Sequence, residues 1–241
     1  MFAALVIVSG GCQGVGKWDL NRGATPGAPK DAGFQFSYET ANLRAQQLMK
    51  DSFFWDVGEE AAPFGSDDGW DAAQRFHAWR LTEKSGDPVA FVNRLRAEWN
   101  YPALDWTVSD SVRIKAILDS STVLDEAIIS ERVKLLKQAV ANSADEKIRN
   151  SSEADLRKVV LENSKGDIGM FLLYTDNAII GVAFAQLVEE GIVEANLKKL
   201  TIIALKRQLL PVLINRYDEP VKERRRSQLT RMLSVMEQAV S

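Results

Sequence analysis

The chain has 241 residues, of which 46% are hydrophobic and 26% charged, and its 30 basic and 33 acidic side chains leave a net charge of −3. A nearly balanced charge argues against a protein that coats nucleic acid, and a single cysteine excludes an internal disulfide framework. The single histidine excludes a metal site built from several histidines of one chain.

The N-terminus resembles the end of a bacterial lipoprotein signal. Residues 2–8 are all apolar, and the small residues 9–11 lead to Cys12. Seven apolar residues are too few for a membrane-spanning helix, which needs about 20. Small residues that end in cysteine are typical of a lipobox, so Cys12 is the candidate lipidation site and the one predicted route to a membrane. Because no Lys or Arg precedes the apolar run and Ser9 replaces the usual leucine, envelope and cytoplasmic locations both stay open.

The same segment matches the phosphate-loop pattern G-x-x-x-x-G-K over residues 11–17. A phosphate loop then needs Ser or Thr for magnesium and a helix that follows directly. Here Trp18 follows, and the chain continues through a Gly- and Pro-rich stretch that disfavours a helix. We therefore predict that residues 1–36 are an apolar N-terminus with a flexible tether, and we predict no nucleotide and no other cofactor.

From residue 37 onward, apolar residues recur at helical spacing and almost nowhere alternate as in strands. The pattern predicts an all-α fold over residues 37–241, as a single compact domain of about eight helices. In chain order, the predicted helix starts are Thr40, Asp67 or Asp68, Asp87 with Pro88, Ser109, Ser152 with Asp155, Asp176 and Pro220. Gly191 is expected to end the helix that Asp176 begins, and Pro211 to kink a helix or start its successor.

Residues 48–69 form an unusual connection, in which Phe53-Phe54-Trp55 is followed by Pro63-Phe64-Gly65, two acidic residues and Gly69. Together with Trp79-Arg80, this run resembles the signature of the YfeS-like family of uncharacterised bacterial proteins. The predicted helices over 176–191 and 197–213 also look like that family's C-terminal helices, so the resemblance covers most of residues 40–238. It implies no activity, cofactor or catalytic residue.

Seven acidic residues and no basic residue lie between positions 51 and 71, which we call the acidic segment. Their spacing differs from that of the twelve-residue calcium loop, so we predict no metal ligands, although helix capping and a recognition surface both stay open. All six tryptophans lie before residue 107, several of them in or near this segment. The candidate interaction surface comprises Trp55, Asp56, Glu59, Glu60, Phe64, Asp67, Asp68, Trp70, Asp71 and Trp79.

His77 is the one histidine available as a general base, and it lies one position off a predicted apolar stripe. A hydrolytic enzyme that uses His77 with the acidic segment is therefore an alternative function. The sequence contains no G-x-S-x-G nucleophile elbow that would support it.

The C-terminal region has the opposite charge, since ten bases and four acids from Leu197 onward leave +6. No aromatic residues interleave with the arginines of the predicted helices, so we predict no nucleic acid partner and interpret the bases as a solvated face that pairs with the acidic half. The sequence favours a non-enzymatic, protein-binding bacterial protein, most concretely an immunity-type protein that masks a basic partner through its acidic and aromatic surface. A structural or envelope-associated lipoprotein is the further alternative.

Overall fold

The computed structural model describes residues 34–99, 101–119, 126–141, 145–163 and 167–241. Within these ranges the chain is helical and contains no strand, which confirms the predicted all-α fold. The helices are α1 (Leu43–Leu48), α2 (Asp67–Thr82), α3 (Pro88–Glu98), α4 (Ser111–Asp119), α5 (Glu126–Val140), α6 (Glu146–Arg149), α7 (Glu153–Asn163), α8 (Asp167–Glu190), α9 (Ala195–Gln208), α10 (Pro211–Ile214) and α11 (Val221–Gln238). Eight of these helices have nine residues or more, in agreement with the predicted number. A 3₁₀ turn at Ser52–Trp55 lies between α1 and α2.

The long helix α8 lies at the centre of the domain because it is apolar all round rather than on one face. Its residues 178–188 are buried without interruption. Helices α2 and α9 make its most extensive contacts, and α1, α3 and α4 also pack against it. By length and composition alone α8 would qualify as a membrane-spanning helix, but here most of its apolar stretch is buried among the other helices.

Helices α2 and α8 cross at two glycines, where their backbones touch. A Cβ atom on Gly181 of α8 would lie 2.9 Å from Gly69 Cα and would overlap the Gly69 carbonyl oxygen. Gly69 lies in the first turn of α2. The crossing therefore fixes the start of α2, which contains the last residues of the acidic segment, against the middle of the core helix.

Several predicted helix boundaries are confirmed by local geometry. Asp87 accepts a hydrogen bond at 2.8 Å from the N–H two residues later. The Ser152 hydroxyl accepts one at 3.2 Å from the N–H three residues later, as a capping box requires. Gly191 follows the last residue of α8 with a φ of +75°, a conformation that favours glycine. Pro211 is the first residue of α10, and Pro220 directly precedes α11.

Three predicted capping residues are wrong by one or two positions. The side chains that accept the capping hydrogen bonds are Asn42, Ser66 and Asp110, at 3.0, 3.1 and 2.9 Å. The predicted residues were Thr40, Asp67 or Asp68, and Ser109. Because Asn, Ser, Asp and Thr all cap helices well, packing decides between neighbouring candidates. Asp67 and Asp68 instead occupy the first turn of α2, where negative charge is favourable.

The predicted helix start at Asp176 is wrong, because α8 begins at Asp167 and Asp176 lies in its interior. Asp176 is fully buried and accepts hydrogen bonds from Nε and Nη2 of Arg207 in α9, at 3.0 and 2.5 Å. Arg207 is also fully buried, and its Nη1 donates to the carbonyl oxygens of Trp106 and Val108. Burial raises the pKa of Asp176, and the charge of Arg207 opposes that rise. The pair joins α8, α9 and the segment between α3 and α4.

The folded domain begins before the predicted boundary at residue 37. Phe36 is buried and its ring stacks on that of Phe64 at 4.4 Å. Phe34 stacks on His77 at 4.1 Å, and its carbonyl oxygen accepts a hydrogen bond from Gln74 at 2.5 Å. Residues 34–36 therefore belong to the all-α domain, while the preceding part of the predicted tether lies outside the described residues.

Candidate functional site

The acidic segment is anchored to the core by aromatic side chains. Phe54 is buried, and its ring lies 6.0 Å from that of Phe184 in α8. Phe64 is also buried. The indole N–H of Trp55 donates a hydrogen bond to the carbonyl oxygen of Met49 at 3.0 Å. The segment is therefore held against the rest of the domain at several points along its length.

Successive turns also restrain the backbone of this segment. The N–H of Glu59 donates to the Asp56 carbonyl oxygen at 3.2 Å, and the N–H of Ala62 donates to that of Glu59 at 2.7 Å. The N–H of Gly65 donates to the Ala62 carbonyl oxygen at 3.1 Å. A Cβ atom at position 65 would lie 2.6 Å from the Glu59 carbonyl carbon, so this close approach requires glycine. The carboxylates between these turns are therefore presented on a defined backbone.

The ten residues of the candidate interaction surface differ in exposure. The exposed residues are Asp56, Glu60 and Asp67. The partly buried residues are Trp55, Glu59, Trp70, Asp71 and Trp79. Phe64 and Asp68 are buried, which corrects their assignment to a surface. Phe64 belongs to the main apolar core, and Asp68 accepts a hydrogen bond from the Tyr101 hydroxyl at 2.6 Å.

Part of the acidic segment pairs with the basic helix α11. Asp51 Oδ2 lies 3.1 Å from Arg231 Nη1, and Glu59 Oε2 lies 3.7 Å from Arg224 Nε. These two contacts are instances of the predicted pairing between the basic C-terminal region and the acidic half. Because both arginines are exposed, each pair is expected to contribute only about 0–1 kcal/mol to stability.

Three exposed carboxylates have no basic partner among the described residues, namely those of Asp56, Glu60 and Asp67. Asp56 Oδ1 accepts a hydrogen bond from the N–H of Gly58 at 2.9 Å, which holds the side chain close to its own backbone. Asp67 lies in the first turn of α2. These three carboxylates therefore place negative charge without a basic partner on a segment that is anchored to the core.

The tryptophans of the candidate surface contribute mainly to packing. The Trp79 ring stacks on that of Phe91 at 4.8 Å, and Arg94 Cζ lies 5.5 Å from the Trp79 ring centroid. Trp70 makes an edge contact with Phe36 at 6.1 Å. Because both indoles are partly buried in such contacts, the exposed character of the surface is more acidic than aromatic.

His77 lies against Glu189 and Phe34. Its Nδ1 lies 3.3 Å from Glu189 Oε1 in α8, and its ring stacks on that of Phe34. Among the residues with a described position, neither a hydrogen bond nor an ion pair joins His77 to the acidic segment. Over the same residues, no three His, Cys, Asp or Glu side chains come together as metal ligands would. The groups that the hydrolytic alternative needs are therefore not assembled around His77.

Glu189→Gln is expected to gain stability relative to the wild-type protein as the pH rises from about 4 to about 7. Burial raises the pKa of Glu189, and the nearby His77 opposes the rise. A carboxyl group whose pKa is higher in the folded state stabilises the fold below its unfolded pKa, and this contribution is lost as the pH rises through the folded pKa. Glutamine does not titrate, so the stability of the variant does not fall for this reason as the pH rises. Thermal unfolding of both proteins across this pH range measures the difference in Tm.

The control for this experiment is Glu83→Gln, which changes an exposed glutamate just after α2. Its Tm difference from the wild-type protein is expected to change little over the same pH range. If the Tm difference between Glu189→Gln and the wild-type protein changed with pH as little as that of the control, this would contradict the inference that Glu189 is harder to ionise in the folded protein.

The burial of Arg225 is not predicted from the sequence, where this residue counts only among the C-terminal bases. Arg225 is 7% exposed and lines a cavity of about 200 Å³. A signal was present, because Leu229, Met232 and Met236 follow Arg225 at helical spacing and all three are buried. A charged residue on the apolar stripe of a helix predicts a buried charge that needs a partner.

No family model, curated protein or solved structure with which we compared the chain matches it. The resemblance to the YfeS-like family therefore stays a prediction, carried by the residues quoted above. Cys12, the candidate lipidation site, lies outside the described residues, and its lipidation also stays a prediction.

Proposed function

We propose that this protein is a non-enzymatic, protein-binding protein whose acidic segment contacts a basic surface of its partner. The observation that carries the proposal is the set of three exposed carboxylates without a basic partner among the described residues, Asp56, Glu60 and Asp67. An immunity-type protein that masks a basic toxin surface is the most concrete form of this function.

The anchoring of the acidic segment supports this proposal because it lowers the entropy that is lost on binding. Ordering a flexible loop opposes association, so a surface that is already ordered retains more of its interaction energy. Buried Phe54 and Phe64 and the close approach at Gly65 hold this segment before any partner arrives. Unpaired carboxylates on such a support attract a basic partner and select against an acidic one.

The test is a triple variant, Asp56→Asn with Glu60→Gln and Asp67→Asn. Proteins captured from the source cell by the immobilised wild-type protein are identified, and the captured partner is purified for affinity measurement. We expect the triple variant to bind it at least about tenfold more weakly, mainly through a lower association rate and with weaker salt dependence. Hydrogen exchange in the wild-type complex should slow in peptides that cover the acidic segment.

The matched control is Glu83→Gln with Glu131→Gln and Glu153→Gln, three exposed acids outside the acidic segment. It changes the net charge by the same amount and is expected to bind nearly as well as the wild-type protein. A partner that loses the same affinity with both triple variants would respond to overall charge and would contradict a site in the acidic segment. A partner that is unaffected by either variant would contradict it equally.

A further inference from the structure

A cavity of about 200 Å³ lies where the C-terminal helices meet α8. Its lining residues are Leu173, Gln208, Leu213, Arg216, Tyr217 and Arg225. Two of these are arginines and none is acidic, so the charge of the wall is positive. Leu173 and Leu213 give the same wall an apolar part.

Arg225 is the feature of this cavity that calls for a ligand. It is 7% exposed, and no carboxylate of the described residues lies within 4.0 Å of its guanidinium. Its one side-chain hydrogen bond is from Nη2 to Gln208 Oε1, at 2.8 Å, and its Cζ lies 4.7 Å from the Tyr217 ring centroid. A guanidinium has five N–H donors, so most of these donors have no acceptor in the described protein. A buried charge without a counter-charge is costly, and an anion in the cavity would remove that cost.

The neighbouring helices hold this guanidinium in place. Gln208 is 2% exposed, and its Nε2 donates to Asn177 Oδ1 in α8 at 3.1 Å. This bond orients the Gln208 amide so that its oxygen accepts from Arg225. Arg225 is thereby connected through α9 to the core helix. Such a pre-positioned donor group is typical of a binding site rather than of a solvated surface arginine.

Glu60 is the acidic residue that lines a space together with Arg225. It lines a second, much smaller space beside Arg225 and Gln208, of about 10 Å³, which is about the room of one water molecule. Glu60 is itself exposed and is not within ion-pair distance of Arg225. The N–H donors of Arg225 that border the larger cavity are therefore available to a ligand.

The size and the mixed wall of the larger cavity define the class of ligand. A cavity of about 150 Å³ lined by apolar groups is known to accommodate benzene, so 200 Å³ has room for a ring-sized body. We propose that this cavity binds a small organic carboxylate, with its carboxylate on Arg225 and its apolar body against Leu173 and Leu213. Arg216 is exposed and has no ion pair among the described residues, so it adds positive charge to the same wall. This site does not depend on the function proposed for the acidic segment.

Titration of the full-length protein with benzoate tests this proposal by NMR. We expect benzoate to shift the side-chain Nε–H signal of Arg225 and to show intermolecular NOEs to the methyl groups of Leu173 and Leu213. Benzamide, which has the same ring and no charge, is expected to bind at least about tenfold more weakly, the factor that a lost charged hydrogen bond produces. Inorganic phosphate, which has the charge and no apolar body, is also expected to bind more weakly.

Variants then test the role of the buried arginine. Arg225→Gln is expected to weaken benzoate binding at least about tenfold. The matched control, Arg226→Gln, changes the next residue, which is exposed and lies 4.0 Å from Glu223, and it is expected to bind benzoate as the wild-type protein does. If Arg225→Gln does not fold, the NOEs in the wild-type protein still locate the ligand.

The proposal would be overturned by the absence of benzoate binding at millimolar concentrations, by equal binding of benzamide or of phosphate, or by unchanged benzoate binding in Arg225→Gln. NOEs to methyl groups other than those of Leu173 and Leu213 would also overturn it. Glu60→Gln provides a further check and is expected to bind benzoate at least as tightly as the wild-type protein. Benzoate binding that appears only in Glu60→Gln would show that Glu60 already neutralises Arg225, and it would overturn the proposal as well.

Discussion

Arg207→Met is expected to lower the free energy of unfolding by about 3–5 kcal/mol, because it leaves the buried carboxylate of Asp176 without its counter-charge. The substitution also removes the donor to the carbonyl oxygens of Trp106 and Val108, and unpaired buried acceptors add to the loss. Methionine is chosen because it fills much of the volume of the arginine stem without its charge. Urea unfolding followed by tryptophan fluorescence measures the change.

Two further variants separate the buried pair from a general effect of substitution in α9. Lys206→Met changes the preceding, exposed residue and is expected to alter stability by no more than about 0.5 kcal/mol. Asp176→Leu combined with Arg207→Met removes both charges, so the double variant is expected to be more stable than Arg207→Met alone. A loss below about 1 kcal/mol for Arg207→Met would show that Asp176 does not need Arg207.

The parts of the fold that were predicted correctly depend on neighbours in the sequence. Asp87 and Ser152 cap their helices through hydrogen bonds to N–H groups two and three residues later, so the sequence contains both partners of each bond. Gly191 ends α8 for an equally local reason, its positive φ. The interior position of Asp176 could not be predicted in this way, because its partner Arg207 lies 31 residues further along the chain. Without that partner, an aspartate before an apolar run is indistinguishable from a helix cap.

Less of the candidate site could be predicted from the sequence, because its contacts also join residues that are far apart along the chain. The acidic character of residues 51–71 is visible in the sequence, and four of its seven carboxylates are exposed, three of them without a basic partner among the described residues. Buried Asp68 accepts a hydrogen bond from Tyr101, which lies 33 residues further along the chain, and buried Phe64 stacks on Phe36, which the predicted boundary at residue 37 leaves in the tether. The burial of Arg225 can be predicted only if its position on the same helix face as buried Leu229 is given more weight than its charge.

Gly181→Ala is expected to lower the free energy of unfolding by about 2 kcal/mol, because an overpacking cost of about 3 kcal/mol is partly offset by the roughly 1 kcal/mol by which alanine favours a helix over glycine. The added methyl group would overlap the Gly69 carbonyl oxygen, and both partners of this contact are helix backbone with little freedom to move. Relief therefore requires α2 to shift away from α8. Since the acidic segment ends within the first turns of α2, we also expect faster hydrogen exchange in residues 51–71 of this variant. Chemical denaturation and hydrogen exchange measure the two effects.

Gly169→Ala in the same helix is the matched control for this prediction. A Cβ atom at position 169 would lie 2.5 Å from a methyl carbon of Leu118, at the end of a side chain that can rotate away. Alanine also favours a helix over glycine by about 1 kcal/mol, which offsets the cost of that rotation. The control is therefore expected to remain within about 1 kcal/mol of the wild-type protein. If both variants had the same stability, this would contradict the close approach of the α2 and α8 backbones at Gly69 and Gly181. The end of the acidic segment would then be held by Phe54, Phe64 and Gly65 without this crossing.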